Sequence, residues 1–158
     1  MNKMKLYLDT SVLGAIFDLE IPLRVEITRA LLNLISQGKH IGVVSNVVLE
    51  EIERSPHNIR EKLLKEIQKI PLQVISEDEE SADLFEAYEK EGFVRKAARM
   101  DLRHLAAATV NLADAVVSWN FRDMVNVQTR RAVHSINLKL GYPLIEIVSP
   151  EEVIEYEE

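Results

Sequence analysis

The chain has 158 residues, 47% of them hydrophobic, no cysteine and a formal net charge of −7. That length supports one full hydrophobic core, and no Pro-, Gly- or Ser-rich stretch divides it, so a single domain over residues 1–158 is expected. The lack of cysteine excludes disulfides, thiolate metal sites and a cysteine nucleophile, and the first apolar run, Leu6-Tyr7-Leu8, is too short for a signal peptide or membrane span, so a cytoplasmic protein is expected.

Lys5 to Leu8 is predicted as the first strand, ending at Asp9-Thr10-Ser11, a composition that hands a strand over to a helix. Ile21, Val25, Thr28, Leu32 and Ile35 recur at spacings of three and four, which predicts a helix from about Pro22 to Gln37 stopped by Gly38. Ile41 to Val44 reads as strand two. Ser45-Asn46 caps a helix running through Arg54, Pro56 marks its end, and another helix follows from about Asn58 to Lys69. Leu72 to Ile75 is strand three. Glu77 to Glu91 is acidic but keeps Ala82, Phe85 and Tyr88 or Glu89 on one stripe, so it reads as a surface helix with solvated charges, closed by Gly92. From Asp101, the set Leu102, Leu105, Ala106, Thr109 and Ala113 has helical spacing, with alanines that allow close approach to a sheet. Ala115 to Ser118 is strand four, Phe121 to about Leu140 a helix closed by Gly141, and Leu144 to Val148 a final strand before an acidic tail. This alternation predicts an α/β fold of three layers, helices on both faces of a mainly parallel sheet of four to five strands.

Charge is unevenly distributed. Between Val94 and Lys139 lie eight bases (Arg95, Lys96, Arg99, Arg103, Arg122, Arg130, Arg131, Lys139) and three acids, a net of +5 within a chain of −7. The pattern fits solvated helix faces and equally fits a surface for a polyanion.

In a parallel sheet, functional groups gather beyond the carboxyl ends of the strands. Asp9 follows strand one, Glu50 and Glu51 follow strand two, Asp101 begins the helix leading into strand four, and Asp123 lies one helical turn past that strand. Carboxylates this close raise one another's pKa unless a cation neutralises them, and Mg²⁺ or Mn²⁺ suits an all-oxygen set. Taken singly, Asp9 and Asp101 serve as well for helix caps, and Glu50 and Glu51 for solvated residues near a helix start. His104 shares a helix face with Asp101 and reads first as a packed, hydrogen-bonded histidine.

The segments Leu6-Tyr7-Leu8-Asp9-Thr10-Ser11, Val47-Val48-Leu49-Glu50-Glu51-Ile52, Asp101-Leu102-Arg103-His104-Leu105-Ala106-Ala107-Ala108 and Val117-Ser118-Trp119-Asn120-Phe121-Arg122-Asp123 resemble, in order and spacing, the four motif blocks of PIN-domain ribonucleases, the fold of VapC-type toxins. The resemblance implies metal-binding acids at Asp9, supported by Ser11 or Thr10, and at Asp101. It implies Glu51 as the second acid, because an aliphatic residue, Ile52, follows it; Glu50 is the reserve. At the fourth position the sequence departs from the pattern: Ser118 is followed by Trp119-Asn120 where many members carry Asp. Asn120 then offers at most a carbonyl oxygen to an ion, with Asp123 as compensation. The implied activity is Mg²⁺- or Mn²⁺-dependent hydrolysis of RNA, with Arg95, Lys96, Arg99, Arg103 and Arg122 tracking a single strand and Trp119 and Phe121 either stacking bases or packing in the core. A small antitoxin protein and a homodimer are implied partners.

Because Asn120 replaces an acid, the alternative is a catalytically weak module that acts by binding a protein or RNA. A phospho-acceptor receiver domain lacks support, since Ile75-Ser76-Glu77 follows strand three, and no Gly-rich turn after strand one suggests a dinucleotide site.

Overall fold

Apolar runs bounded by turn residues become the strands of a single five-stranded sheet in the computed structural model, which describes residues 2–155. In chain order the elements are β1 (Lys5–Leu8), α1 (Thr10–Ala15), α2 (Pro22–Ser36), β2 (Ile41–Ser45), α3 (Asn46–Glu53), α4 (His57–Gln68), β3 (Leu72–Ile75), α5 (Glu79–Glu91), α6 (Arg99–Val110), β4 (Ala115–Val117), α7 (Val127–Leu140), β5 (Glu146–Val148) and α8 (Pro150–Glu155). A 3-10 turn, Lys96–Ala98, leads into α6.

All four pairings are parallel, in the order β3-β2-β1-β4-β5. The central strand β1 is apolar at consecutive positions because both its faces are covered: Leu6, Tyr7 and Leu8 have no exposed surface. From β1 the chain builds outward through β2 and β3, then crosses to β4 and β5 on the other side. The loops after β1 and β4 therefore diverge, and the crevice this leaves at their carboxyl ends is where a doubly wound sheet places ligands.

Two close contacts set the layer spacing. In α6, Leu102, Leu105, Ala106, Ala107, Ala108 and Thr109 are all buried, and the alanines let the helix lie near the sheet. In β2, a Cβ added to Gly42 would lie 2.7 Å from Leu72 Cδ2 and 3.1 Å from Ile35 side-chain carbons, so the side chains of β3 and α2 fill the space over this glycine.

The element order agrees with the sequence reading, with differences that have local causes. The α5 stripe is Ser81, Leu84 and Tyr88, with Ala82 exposed, because Asp78 and Ser81 form a capping box that starts the helix at Glu79 and sets its rotation. Asp101 is not a cap: α6 starts two residues earlier at Arg99, and the N-cap position is Ala98. The segment after β4 is not helical until Val127. Asn126 caps α7 by accepting from Thr129 N, and its Nδ2 donates to the carbonyls of Phe121 and Arg122, holding residues 121–126 as turns. The final strand begins at Glu146, leaving Leu144 exposed. The start of the acidic tail is a short helix, α8, whose Val153 is buried.

Candidate active site

Asp9 lies one residue past β1, 3% exposed, and does two things. It caps α1, accepting from Val12 N at 3.3 Å and from Ser11 Oγ, and it presents a carboxylate to the crevice. Its own N–H donates to Val117 O at the end of β4 (3.3 Å). Ser11 Oγ also accepts from Trp119 N at 2.9 Å, and Ser118 Oγ accepts from Asn120 N at 2.9 Å. Two hydroxyls thus stitch the ends of β1 and β4 together.

The first turn of α6 brings Asp101 to the same place. Burial, and after it the charge of Asp9, pushes the Asp101 carboxyl up to about 7; His104 opposes this, while Asp123 and Glu51 add to it. Burial likewise raises Asp9, against the pull of His104 and the bonds from Ser11, Ser118 and Val12. Both acids are thus held in a setting that disfavours their charge.

Glu51, from α3, reaches the cluster from the β2 side. Its Oε1 accepts from Thr10 Oγ1 at 2.8 Å and makes a short contact with His104 Nε2. Burial pushes Glu51 up, but the bonds from His104 and Thr10, with Arg103 nearby, outweigh it and hold the carboxyl below the usual range. His104 is 1% exposed. Its Nδ1 meets Tyr7 Oη at 2.6 Å, Tyr7 Oη meets Ser45 Oγ at 2.6 Å, and Ser45 accepts from Val47 N. A buried polar chain therefore runs through the sheet to Glu51.

Glu50 points elsewhere, to Arg103 at 3.0 Å. Arg103 also binds Glu77 through Nε (2.9 Å) and through a shorter contact from its terminal nitrogen, and Glu77 exchanges bonds with Asn46. The expectation that the acids from Glu77 onward are all solvated is thus corrected at its first residue. Arg103 holds Glu77 below the carboxylate range and is itself engaged on both sides, not free for a phosphate.

Asn120 also departs from its expected role as an oxygen ligand. Its Oδ1 accepts from Asp123 N at 3.1 Å and its Nδ2 donates to Asp101 Oδ2 at 3.0 Å. A backbone N–H can face only an acceptor, so the amide has one orientation, and it turns a donor toward Asp101. Asp123 does not extend the cluster as a free acid. Arg95 binds it through two parallel bonds of 3.0 and 2.9 Å and holds its pKa down.

Of the remaining bases, Arg99 pairs with Glu89 at 2.7 Å and lies over Phe85, while Lys96 and Arg122 are exposed. Trp119 is a core residue, 5% exposed, donating through Nε1 to Thr28 Oγ1 at 2.9 Å; Phe121 is 44% exposed. Sequence reasoning missed Tyr7, Ser45, Glu77 and Arg24. A tyrosine in an otherwise aliphatic strand and a serine at a strand end are signals for the first two. Nothing in the spacing points to Arg24, which lies over Trp119 and Phe121 at 5.0 and 5.9 Å.

Among the described residues, no three Asp, Glu or His side chains close into a preformed metal cage. The donor set still fits a hard ion. Mg²⁺ keeps several waters and needs only one or two carboxylates, and a cation at Asp9 and Asp101 would relieve the burial that raises both.

No protein-family model matches the sequence, and no curated protein matches it significantly. Solved structures do match in fold. VapBC2 from Rickettsia felis, bound to a DNA fragment from the promoter, aligns with a TM-score of 0.59 at 15% identity, covering 92% of this chain and 98% of that one. DNA-bound VapBC from Salmonella typhimurium aligns at 0.56 and 22% identity over 93% and 98%. VapC20 of Mycobacterium tuberculosis, a Sarcin-Ricin loop cleaving toxin, aligns at 0.52 and 15% identity over 74% and 91%. The chain has the PIN-like three-layer fold of these VapC proteins.

Proposed function

We propose that the chain is a Mg²⁺- or Mn²⁺-dependent ribonuclease of the VapC kind, acting on single-stranded RNA and held in check by a small antitoxin. The observation that carries this reading is the convergence of two carboxylates, the buried Asp9 and the half-buried Asp101, at the switch point of the sheet, with Glu51 beside them. Asp9 and Asp101 would hold the ion. When bound, it supplies charge neutralisation at the phosphate and lowers the pKa of a water.

The chain's own residues supply position and proton handling. Ser11 and Val12 N–H orient Asp9. His104 and Thr10 both bind Glu51 Oε1 and fix this carboxylate, whose second oxygen would serve as a proton acceptor. Lys96 and Arg122 are exposed and suit a phosphate backbone. Among the described residues no helix is long and apolar enough to cross a membrane; we read the protein as a cytoplasmic homodimer, by analogy with the toxins that the sequence resembles.

A second reading is favoured by Asn120 and Asp123, whose bonds to Asp101 and Arg95 leave the site short of free acids: a module that binds a protein or RNA without cutting. Calorimetry with Mn²⁺ and cleavage of a fluorescent single-stranded RNA, on the wild type and Asp9→Asn, separate the two. Metal binding and cleavage that vanish together in the variant support the nuclease. Metal binding without cleavage supports the module, and no metal binding removes the site.

A further inference from the structure

A cleft opens on the surface between α1 and the turn after β4, with Gly14 and Asp18 on one side, Arg24 on the other and Trp119 at its base. Ser11 and Asn120, which also line it, bond Asp9 and Asp101 respectively, so the cleft adjoins the acidic cluster. Phe121 stands next to it, 44% exposed and edge-on to Trp119 with ring centres 6.2 Å apart. The Arg24 guanidinium lies over both rings, and among the described residues no carboxylate forms an ion pair with it. A Cβ at Gly14 would meet nothing within 4 Å, so that wall is open.

We propose that this cleft is a subsite for one nucleobase of a single-stranded polynucleotide, the base adjoining the phosphate held at Asp9 and Asp101. The proposal rests on the nuclease reading and adds the group that positions the strand. A base is a flat π-system with polar edges. Arg24, whose planar cation lines the cleft and is itself backed by the Trp119 and Phe121 rings, is a surface on which any base stacks. Asp18 supplies an acceptor for an N–H on the base edge. Because Ser11 and Asn120 adjoin both the cleft and the acids, a strand entering the cleft would bring its next phosphate to the acids.

The test uses the full chain with Mn²⁺ and a single-stranded RNA dodecamer, together with a set of the same dodecamer carrying one abasic site at each position in turn. Gly14→Leu fills the open wall, and Arg24→Ala removes the stacking cation from the opposite side. Neither residue touches the acids, so Mn²⁺ affinity is expected to be unchanged in both. The wild type is expected to lose about tenfold in kcat/KM when the base adjoining the cut bond is missing, the size of one lost stack. Both variants are expected to lose about the same factor on intact RNA and to become indifferent to the abasic site. Variants that cleave like the wild type, or that are slowed yet still sense the missing base, overturn the subsite alone. A wild type that binds Mn²⁺ but cuts no RNA overturns the nuclease reading and the subsite with it.

Discussion

Asn120 donates to Asp101 through Nδ2 at 3.0 Å, so the residue standing where a fourth acid is expected turns an N–H toward the third. The amide stabilises an acid in the absence of a cation, where a second carboxylate would repel it. Asn120→Asp is therefore expected to bind Mn²⁺ several-fold more tightly by calorimetry and, without metal, to melt lower by roughly 2–4 °C, about 1 kcal/mol for a chain of this size. An unchanged Mn²⁺ affinity would show that this position does not face the ion.

The acidity of Asp101 makes stability depend on pH in a defined direction. Its pKa is about 7 in the folded protein against an ordinary 3.8, so between those values the folded state keeps a proton that the unfolded chain has lost. The contribution of Asp101 to the stability of the metal-free protein is expected to fall as pH rises from about 4 to about 7 and to level off above. Raised Asp9 acts in the same sense, while Glu51, Glu77 and Asp123, held low, act in the opposite sense at the acid end, so the decline is read as the difference between the wild type and Asp101→Asn. Thermal melts across that range should show the decline, and both Asp101→Asn and saturating Mn²⁺ should flatten it. A pH profile identical in the wild type and Asp101→Asn would contradict the raised pKa of Asp101.

Removing His104 breaks a buried chain at its centre. Tyr7 Oη, which has no exposed surface, loses a partner that water does not replace and keeps only Ser45, while the partly exposed Glu51 Oε1 keeps Thr10. His104→Ala is expected to cost about 2–4 kcal/mol in urea unfolding, from the unsatisfied groups and the cavity together. The Tyr7→Phe variant, which keeps the volume and removes only the hydroxyl, should cost about half as much. If the two were equal, the hydrogen bonds and not the packing would carry the whole effect.

Gly42→Ala tests the spacing between α2 and the sheet. The added methyl meets Leu72 Cδ2 at 2.7 Å and Ile35 at 3.1 Å, contacts that require these side chains to repack. A loss of about 1–3 kcal/mol in chemical denaturation is expected, as for other overpacked cores. Gly14→Ala, with nothing near its Cβ, is the control and should be neutral or slightly stabilising.

The amino-acid sequence by itself determined the alternation of elements. β1 and β3 agree with the expected bounds at every residue; β1 is continuously apolar from Leu6 to Leu8 because a central parallel strand is covered on both faces, whereas β3 is an edge strand with Gln73 and Val74 exposed. Gly38, Gly92 and Gly141 adopt positive φ at helix ends, where a side chain is disfavoured, so helix stops were legible too. The placing of Asp9, Glu51 and Asp101 at one edge followed from strand direction alone. What each acid is bonded to did not. Glu51 and His104 are 53 residues apart, Arg95 and Asp123 28, and Arg103 and Glu77 26. Only the order β3-β2-β1-β4-β5 brings these pairs together, because it is the crossover from one side of β1 to the other that lays α3, α6 and the turn after β4 around a common crevice. The tertiary structure also decided which way Asn120 faces, since that depends on a single backbone N–H in a turn whose shape Asn126 holds from outside.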